Sequence, residues 1–318
     1  MRKSRITNSS LLLTAVLLTL IVLASVRSAW ATFPGKNGRI AFVANRNGSW
    51  QLYTMNPDGS DIKQLTDLPA TDLDGWFPVF SPDGKRIVFS RDTPDAPFSS
   101  DLYVINADGT NLTRITFDQV SFVAHWSPDG TRLIFAKFLP NGKPVIATMR
   151  ADGTGKKIYL THDVWGKFWP IYTPSGDQVV FFSATGGLIS AVWRMNSHGL
   201  DKKRLTAPAF EGFAYDVSPD GEHIVLNNHQ STPRPSAIFV MNMDGTNLKP
   251  LTKPRNGQAS YSPDGSKIVF TSDRGRAAGA YEIYTMNQDG TGVKQITNGL
   301  TVACPDGNCA TPTWGAKP

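Results

Sequence analysis

The apolar positions of this chain recur in six units of 44 to 47 residues. Each unit contains an apolar run, such as Ile87-Val88-Phe89 or Leu133-Ile134-Phe135, which is typical of a strand buried on both faces. Shorter apolar segments around this run divide each unit into four strands. Four strands per unit at this period predict an all-β fold, a six-bladed β-propeller with four antiparallel strands per blade. The equivalent positions that define the units are Ile40, Ile87, Leu133, Val179, Ile224 and Ile268.

Two turns recur with the strands. Ser-Pro-Asp-Gly, or a close variant, starts at residues 81, 127, 173, 218 and 262, just before the buried run. A second turn, N-x-D-G in most units, carries glycine between the third and fourth strands in all six, as expected where the backbone needs positive φ. Asn opens this turn in five units, and its side chain can bond the backbone two residues further on. The six glycines are Gly59, Gly109, Gly153, Gly199, Gly245 and Gly290.

The first unit lacks an innermost strand of its own. The chain passes from Phe33 directly into the strand at Ile40. Residues 311–315 (Thr-Pro-Thr-Trp-Gly) match the innermost strand of other units, for example residues 77–81 (Phe-Pro-Val-Phe-Ser). We therefore predict that the C-terminal strand completes blade one and closes the ring, which removes the exposed strand edges of an open array.

Residues 1–31 have the three-part build of a secretory signal peptide. A basic start (Arg2, Lys3, Arg5) precedes an apolar stretch and an Ala29-Trp30-Ala31 cleavage site. The apolar stretch is about 16 residues, shorter than the ~20 of a membrane-spanning helix. We predict cleavage after Ala31, one propeller domain over residues 32–318 and no membrane insertion after cleavage. The expected location is periplasmic, cell-envelope or extracellular.

Charge and cysteine content narrow the choice of partner and compartment. Cleavage removes four of the 32 Lys and Arg residues and none of the 26 Asp and Glu residues, so the net charge falls from +6 to +2. Since the remainder has no basic run, nucleic acid is not expected as a partner. We expect a monomer. Cys304 and Cys309, the only cysteines, are expected to form a disulfide in an oxidising compartment.

The units resemble the TolB-type propeller repeat, a WD-like pattern that runs P-x-W-S-P-D-G-x-x-I-x-F-x-S-x-R, then I-Y-x-M-N-x-D-G-x-x-x-x-x-L-T. The last unit, YSPDGSKIVFTSDRG followed by YEIYTMNQDGTGVKQIT, fits almost throughout. The resemblance covers about residues 33–315 and implies the fold. Such repeats serve in periplasmic scaffolds, in gating propellers of serine peptidases and in lyases, so no single function is implied. The family's namesake also carries an N-terminal α/β domain, whereas we expect only the propeller here.

Functional residues are expected on the face that carries the blade-to-blade loops, because the six units differ there. Aromatic rings beside polar groups would suit a sugar, and Asp74, Asp163 and Asp216 are candidate ligands for Ca²⁺. Phe77, Phe168 and Trp169 are expected to pack between blades. The candidate ligand-binding residues are Asp74, Trp76, His125, His162, Asp163, Trp165, Lys167, Asp216 and His229.

Three functions remain open on these observations. We favour an exported, non-catalytic scaffold that binds a protein or a cell-envelope polymer through the loop-bearing face. The second is a saccharide or small-molecule binder with Ca²⁺ in the channel, and the third a metal-dependent lyase or hydrolase. The chain contains neither a GxSxG nor an HExxH motif. No catalytic residue is therefore assigned.

Overall fold

The structure is a computed structural model that describes residues 33–45, 49–69, 77–92, 99–162, 166–185, 189–207, 210, 212–228, 236–275, 280–299, 302–303 and 311–318. All regular elements within these ranges are β-strands. The described residues include no helix of the length and apolar character that crossing a membrane requires.

The described residues form six sheets, each a blade of four antiparallel strands, as predicted. The strands of blades one to three are β1 (Asn37–Asn45), β2 (Trp50–Met55), β3 (Lys63–Gln64), β4 (Val79–Phe80), β5 (Arg86–Asp92), β6 (Ser100–Asn106), β7 (Thr113–Arg114), β8 (Ser121–Trp126), β9 (Arg132–Phe138), β10 (Pro144–Arg150) and β11 (Ile158–Tyr159). Those of blades four to six are β12 (Gly166–Tyr172), β13 (Gln178–Thr185), β14 (Ile189–Asn196), β15 (Lys203–Arg204), β16 (Gly212–Val217), β17 (His223–Asn228), β18 (Ile238–Asn242), β19 (Lys249–Pro250), β20 (Asn256–Tyr261), β21 (Lys267–Ser272), β22 (Ala280–Asn287) and β23 (Lys294–Gln295). Two more strands follow, β24 (Val302–Ala303), which pairs with β22, and β25 (Thr313–Ala316).

The predicted closure of the ring is confirmed. Strand β25 pairs antiparallel with β1, with Ile40 opposite Trp314, and so becomes the innermost strand of blade one. Blade one also contacts blade six, because the Asn37 side-chain amide donates to Asp264 Oδ2 at 2.9 Å. The first and last strands of the described propeller therefore meet within blade one.

The core lies between neighbouring blades. The second strand of each blade is buried on both faces, as its apolar run predicts, and Ile87, Val88 and Phe89 have no exposed surface. One hydrophobic cluster combines Val43 of blade one with Ile87 and Phe89 of blade two. Since each blade covers its neighbour in this way, the closed ring buries every sheet on both sides.

The blade ends define two faces. The turn face carries the SPDG and N-x-D-G turns, and the loop face carries the second-to-third strand connections and the blade-to-blade loops. All six predicted turn-face glycines have positive φ, between 79° and 92°. A Cβ on Gly59 would also overlap the carbonyl oxygen of Ile296 in blade six. Glycine is therefore required there both by backbone conformation and by the close approach of the neighbouring blade.

Hydrogen bonds within the N-x-D-G turn differ from the prediction in one respect. Asn196 does accept from the backbone two residues on, from the His198 N–H at 3.0 Å. In the other five blades the turn aspartate makes this bond, as Asp58 does with the Ser60 N–H at 2.9 Å. The Asp58 carboxylate, one residue before the glycine, accepts from both the N–H and the hydroxyl of Ser60, and the Asn56 amide donates to that hydroxyl instead.

The threonine of each L-T pair has one constant role. Its hydroxyl accepts the first available backbone N–H of the third strand, as Thr66 does from Leu52 at 3.0 Å. This bond recurs in every blade and joins the third strand to the segment that follows the fourth strand. The six threonines are Thr66, Thr116, Thr161, Thr206, Thr252 and Thr297.

Candidate binding channel and loop face

The innermost strands surround a central channel that contains a cavity of about 80 Å³. An equivalent position of each innermost strand lines this cavity. In blades two to six this position lies two residues before the Ser or Thr that starts the SPDG turn. Because the repeat places the same backbone position there six times, the side chain alone decides the chemistry. The six residues, from blade one to blade six, are Thr313, Val79, His125, Ile171, Asp216 and Ser260.

The channel has an apolar and a polar wall. Blades two to four supply mostly apolar side chains, and blades five, six and one supply mostly polar ones. His125 is the exception on the apolar side. The apolar wall contains Phe77, Val79, Val123, Trp169 and Ile171, and the polar wall contains Asp216, Gln258, Ser260, Thr311 and Thr313.

His125, predicted as a ligand-binding residue, lies on β8 and faces the cavity. The residue is half-buried, but protein surrounds the ring closely enough that desolvation lowers the pKa of the imidazole to about 4. The Nδ1 atom is enclosed and has no hydrogen-bond partner among the described residues. At neutral pH the side chain is therefore an uncharged imidazole with unused hydrogen-bonding capacity.

Asp216, also predicted, is buried and joins blade five to blade six. Its Oδ2 accepts from the Ser260 hydroxyl at 2.8 Å and from the Tyr261 N–H at 2.9 Å. Its Oδ1 accepts from the Val217 N–H at 2.8 Å. Since Ca²⁺ needs six or more oxygen ligands and both carboxylate oxygens are engaged, Asp216 alone makes a poor centre for that ion. Calcium binding at the loop face stays a prediction.

The other predicted residues are not gathered into one site within the described ranges. Lys167 is buried on β12, and its Nζ donates to Ser183 Oγ at 2.8 Å. His162 is exposed at the outer edge of blade three, with its ring 6.3 Å from that of Tyr159. The remaining predictions lie outside the described residues: Asp74, Trp76, Asp163, Trp165 and His229 for ligand binding, and Cys304 and Cys309 for the disulfide.

A contiguous set of rings, here called the aromatic arc, lies at the loop-face end of the inner and second strands. Trp169 links its parts, with its ring 5.4 Å from Phe77 of blade two and 5.5 Å from Phe213 of blade five. Phe182 is buried, and the other members are half-buried. The arc consists of Phe77, Phe122, Phe138, Phe168, Trp169, Phe182 and Phe213.

Phe77, Phe168 and Trp169 thus pack on neighbouring rings, as predicted, but they also form part of an accessible surface. Phe138 and Phe182 were not predicted as site residues, because they end the apolar runs of second strands, a pattern typical of core residues. Gln258 and Thr313 on the channel wall were not predicted either. Counting back from each SPDG turn would have found the channel positions, since the repeat fixes which residues face inward.

The backbone is strained beside the channel. Val123 and Trp169 have φ values of 47° and 46°, which are unfavourable for side chains with a Cβ and especially for β-branched valine. Both lie where the inner strand shifts register against the second strand. Such bulges re-aim side chains, and strained residues cluster at functional sites.

Two charged clusters lie away from the channel. Burial raises the pKa of Asp118, but hydrogen bonds from Lys137, Lys157 and Ser121 outweigh this effect, so the pKa lies well below the usual range. The carboxylate therefore anchors the loop between blades two and three. Asp220, Glu222 and His223 are the one group of three potential metal ligands within reach of one another among the described residues. They lie on the turn face, and they are solvent-accessible side chains of a repeated turn.

At its turn-face end the channel is crossed by the chain before β1. Phe33 lines the cavity and packs against the cores between blades two and three and between blades three and four. The N–H of Gly35 donates to the Pro263 carbonyl of blade six at 3.1 Å. A ligand therefore has easier access from the loop face.

The closed ring, the repeated turns and the polar-apolar channel define a six-bladed β-propeller built from one repeating unit. The family model for the TolB beta propeller domain matches residues 23–214, more than half of the chain. The chain therefore belongs to the TolB β-propeller family.

Individual relatives are distant. The chain is 26% identical over 235 residues to the uncharacterised protein Atu1656 of Agrobacterium fabrum, covering 70% of this chain and 78% of that protein. It is 29% identical over 149 residues to the TolB homologue of Chlorobium luteolum, covering 46% of this chain and 32% of that relative. TolB from Acinetobacter baumannii has a similar structure, with a TM-score of 0.71, 23% identity and coverage of 90% of this chain and 68% of that one. At this identity the structural similarity shows the fold. The match to the Chlorobium protein spans about a third of its length.

Proposed function

We propose that this protein is an exported, non-catalytic scaffold that holds a protein partner on its loop face. The aromatic arc is the observation that carries this proposal. Contiguous half-buried aromatic rings are typical of the centre of protein interfaces, where they bury much area with little loss of conformational freedom.

The distribution of charge supports the same surface. Lys137 donates to Asp118 at 2.5 Å, and Lys167 donates to Ser183, so these two lysines, each next to an arc residue in the described part of the chain, are already engaged. An interface centre with few unpaired charges avoids the cost of desolvating them. We therefore expect binding to the arc to depend little on salt concentration.

Export is part of the proposal. The basic start, apolar stretch and Ala29-Trp30-Ala31 site favour secretion and cleavage. Expression of the full chain in a bacterial host, followed by fractionation and mass measurement, tests this step. The mass should correspond to a chain that begins at Thr32. A protein that stays in the cytoplasm with residues 1–31 attached would contradict export.

Partner binding is tested by comparing variants of the arc with a control on the same face. Immobilised wild-type protein first recovers a partner from envelope extract, and the purified partner is then titrated against each variant. Phe138→Ser with Phe213→Ser should weaken binding at least tenfold, because truncating central aromatic residues removes the largest contributions. Phe117, 74% exposed and outside the arc, gives the control Phe117→Ser, which should bind as wild type does.

Two outcomes would contradict the proposal. One is a partner whose affinity is the same for the double variant, provided that variant melts normally. The other is a recovered partner that resists protease, is degraded by glycan hydrolases and is no longer bound by the double variant, because that result places a cell-envelope polymer instead of a protein on the arc.

A further inference from the structure

Three polar side chains on the channel wall contain an enclosed atom with no hydrogen-bond partner among the described residues. These atoms are His125 Nδ1, Gln258 Oε1 and Thr313 Oγ1. They come from blades three, six and one, and all three residues line the same cavity. Buried polar atoms in folded proteins are nearly always hydrogen-bonded, so three in one cavity call for a bound molecule.

The cavity offers unused hydrogen-bonding groups and, among its lining residues, a single carboxylate, that of Asp216. Both oxygens of Asp216 accept hydrogen bonds from blades five and six. His125 is uncharged at neutral pH because of its burial. An anionic ligand would lose its hydration and meet the Asp216 carboxylate, and a cation would have to compete with the protein donors for that carboxylate, so both are unfavourable. Gln258 Oε1 can only accept, so the ligand must carry O–H or N–H donors, and an uncharged ligand with such donors fits the cavity best.

The shape of the channel limits how the ligand enters. The cavity of about 80 Å³ is smaller than the roughly 150 Å³ cavity that holds a benzene ring, so only a few non-hydrogen atoms fit inside. At the loop-face end Phe77 and Trp169 line the same cavity and are half-buried, with their rings nearly perpendicular. A ligand that enters from the loop face therefore contacts aromatic rings at the entrance and hydrogen-bonding groups inside the cavity.

A sugar has both features, since hydroxyl groups project from its edge and C–H groups cover its faces. We propose that the channel binds a neutral sugar ring from the loop face. Hydroxyl groups at one edge enter the cavity and bond with Gln258, Thr313 and His125, while one face of the ring contacts Phe77 and Trp169. The sugar is either a free monosaccharide or the terminal unit of a glycan. This site shares Phe77 and Trp169 with the aromatic arc, whereas Phe138 and Phe213 do not line the cavity and belong to the arc alone.

The first test uses the mature protein, free glucose, galactose and N-acetylglucosamine, and an array of neutral and acidic glycans, with calorimetry on every hit. At least one neutral sugar should bind saturably, and the corresponding uronic acid should bind at least tenfold more weakly. Binding of the monosaccharide identifies a free sugar as the ligand, and binding of the array glycan alone identifies a chain end. Absence of neutral binding, or equal binding of the uronic acid, would overturn the proposal.

The second test separates ligand binding from stability. Gln258→Leu keeps a similar shape but removes the acceptor, so affinity for the sugar should fall at least tenfold while the melting temperature of the free protein stays the same or rises. Gln288 on the turn face is exposed, and Gln288→Leu is the matched control that should bind normally. If Gln258→Leu melts well below wild type, Thr313→Val repeats the test with a smaller change.

A well-folded Gln258→Leu protein that binds the sugar as tightly as wild type would overturn the assigned site. The double variant of Phe138 and Phe213 should keep sugar binding even where it loses the protein partner. The two proposals therefore fail independently.

Discussion

The turn face and the loop face are built from the same repeat but in different ways. On the turn face the glycines all have positive φ, and the turn aspartates repeat the same bonds from blade to blade. At the loop face and in the channel, four residues with side chains have positive φ (Gln119, Val123, Trp169 and Arg255), and three enclosed polar atoms have no partner among the described residues. Residues that recur in every blade therefore form the turns and the packing of the fold. Residues that occur in one blade only include the polar side chains that are available to bind a ligand.

The largest expected effect compares one glycine from each face. Gly59 on the turn face and Gly142 on the loop face both have positive φ, but a Cβ on Gly142 would meet nothing within 4 Å. Gly142→Ala should therefore cost about 1 kcal/mol of stability, the cost of the conformation alone. Gly59→Ala should cost more than roughly 4 kcal/mol, because blade six must also move. Denaturant unfolding of both variants measures this difference, and equal losses would show that the faces do not differ in packing.

The next effect concerns the channel and depends on pH. The pKa of His125 is about 4 in the folded protein, below its ordinary value of 6.5. Between these values the unfolded chain binds a proton that the folded protein does not, so stability is full above pH 6.5 and falls as the pH decreases. The loss by pH 4 should be about 3 kcal/mol.

His125→Gln should remove this part of the pH dependence, measured as the difference in unfolding free energy between pH 7.5 and pH 4. His162 is exposed at the outer edge of blade three, so His162→Gln serves as the control and should keep the wild-type dependence. If His125→Gln and wild type lose stability in parallel, the histidine is not enclosed as described.

The smallest effect concerns the predicted disulfide in the segment before β25. Cys304→Ser should cost about 2 kcal/mol, because the ring is short and its closure constrains few unfolded conformations. Alkylation of the purified protein before and after reduction, followed by mass measurement, checks the bond directly. Labelling of both cysteines without reduction would contradict it.

Much of the fold was predictable because the same pattern of strand and turn residues recurs in six units. The buried run at Ile87, the glycine at Gly59 and the C-terminal strand around Trp314 each matched a pattern seen in other units. Each blade must pack on the next, so the same residue types are required at the same positions of all six units.

The candidate site was predictable only in part, because each of its residues occurs once. The structure places His125 in the channel and buries Lys167 against Ser183, and ligand binding by either residue stays a prediction. Gln258 and Thr313 escaped notice because an isolated amide or hydroxyl carries no signal in sequence. These two residues are candidates because each has an enclosed polar atom with no hydrogen-bond partner among the described residues. That enclosure arises only where the six blades meet around the channel.

The proposal that the loop face, and not the turn face, binds a protein partner is tested most directly by photo-cross-linking in cells that express the full chain. A photoreactive amino acid is placed singly at Phe138 and Phe213 on the loop face and at Lys85, Lys156 and Gln288 on the turn face. Our account predicts discrete protein adducts from the loop-face positions and none from the turn-face positions. Adducts formed mainly from the turn face would contradict it.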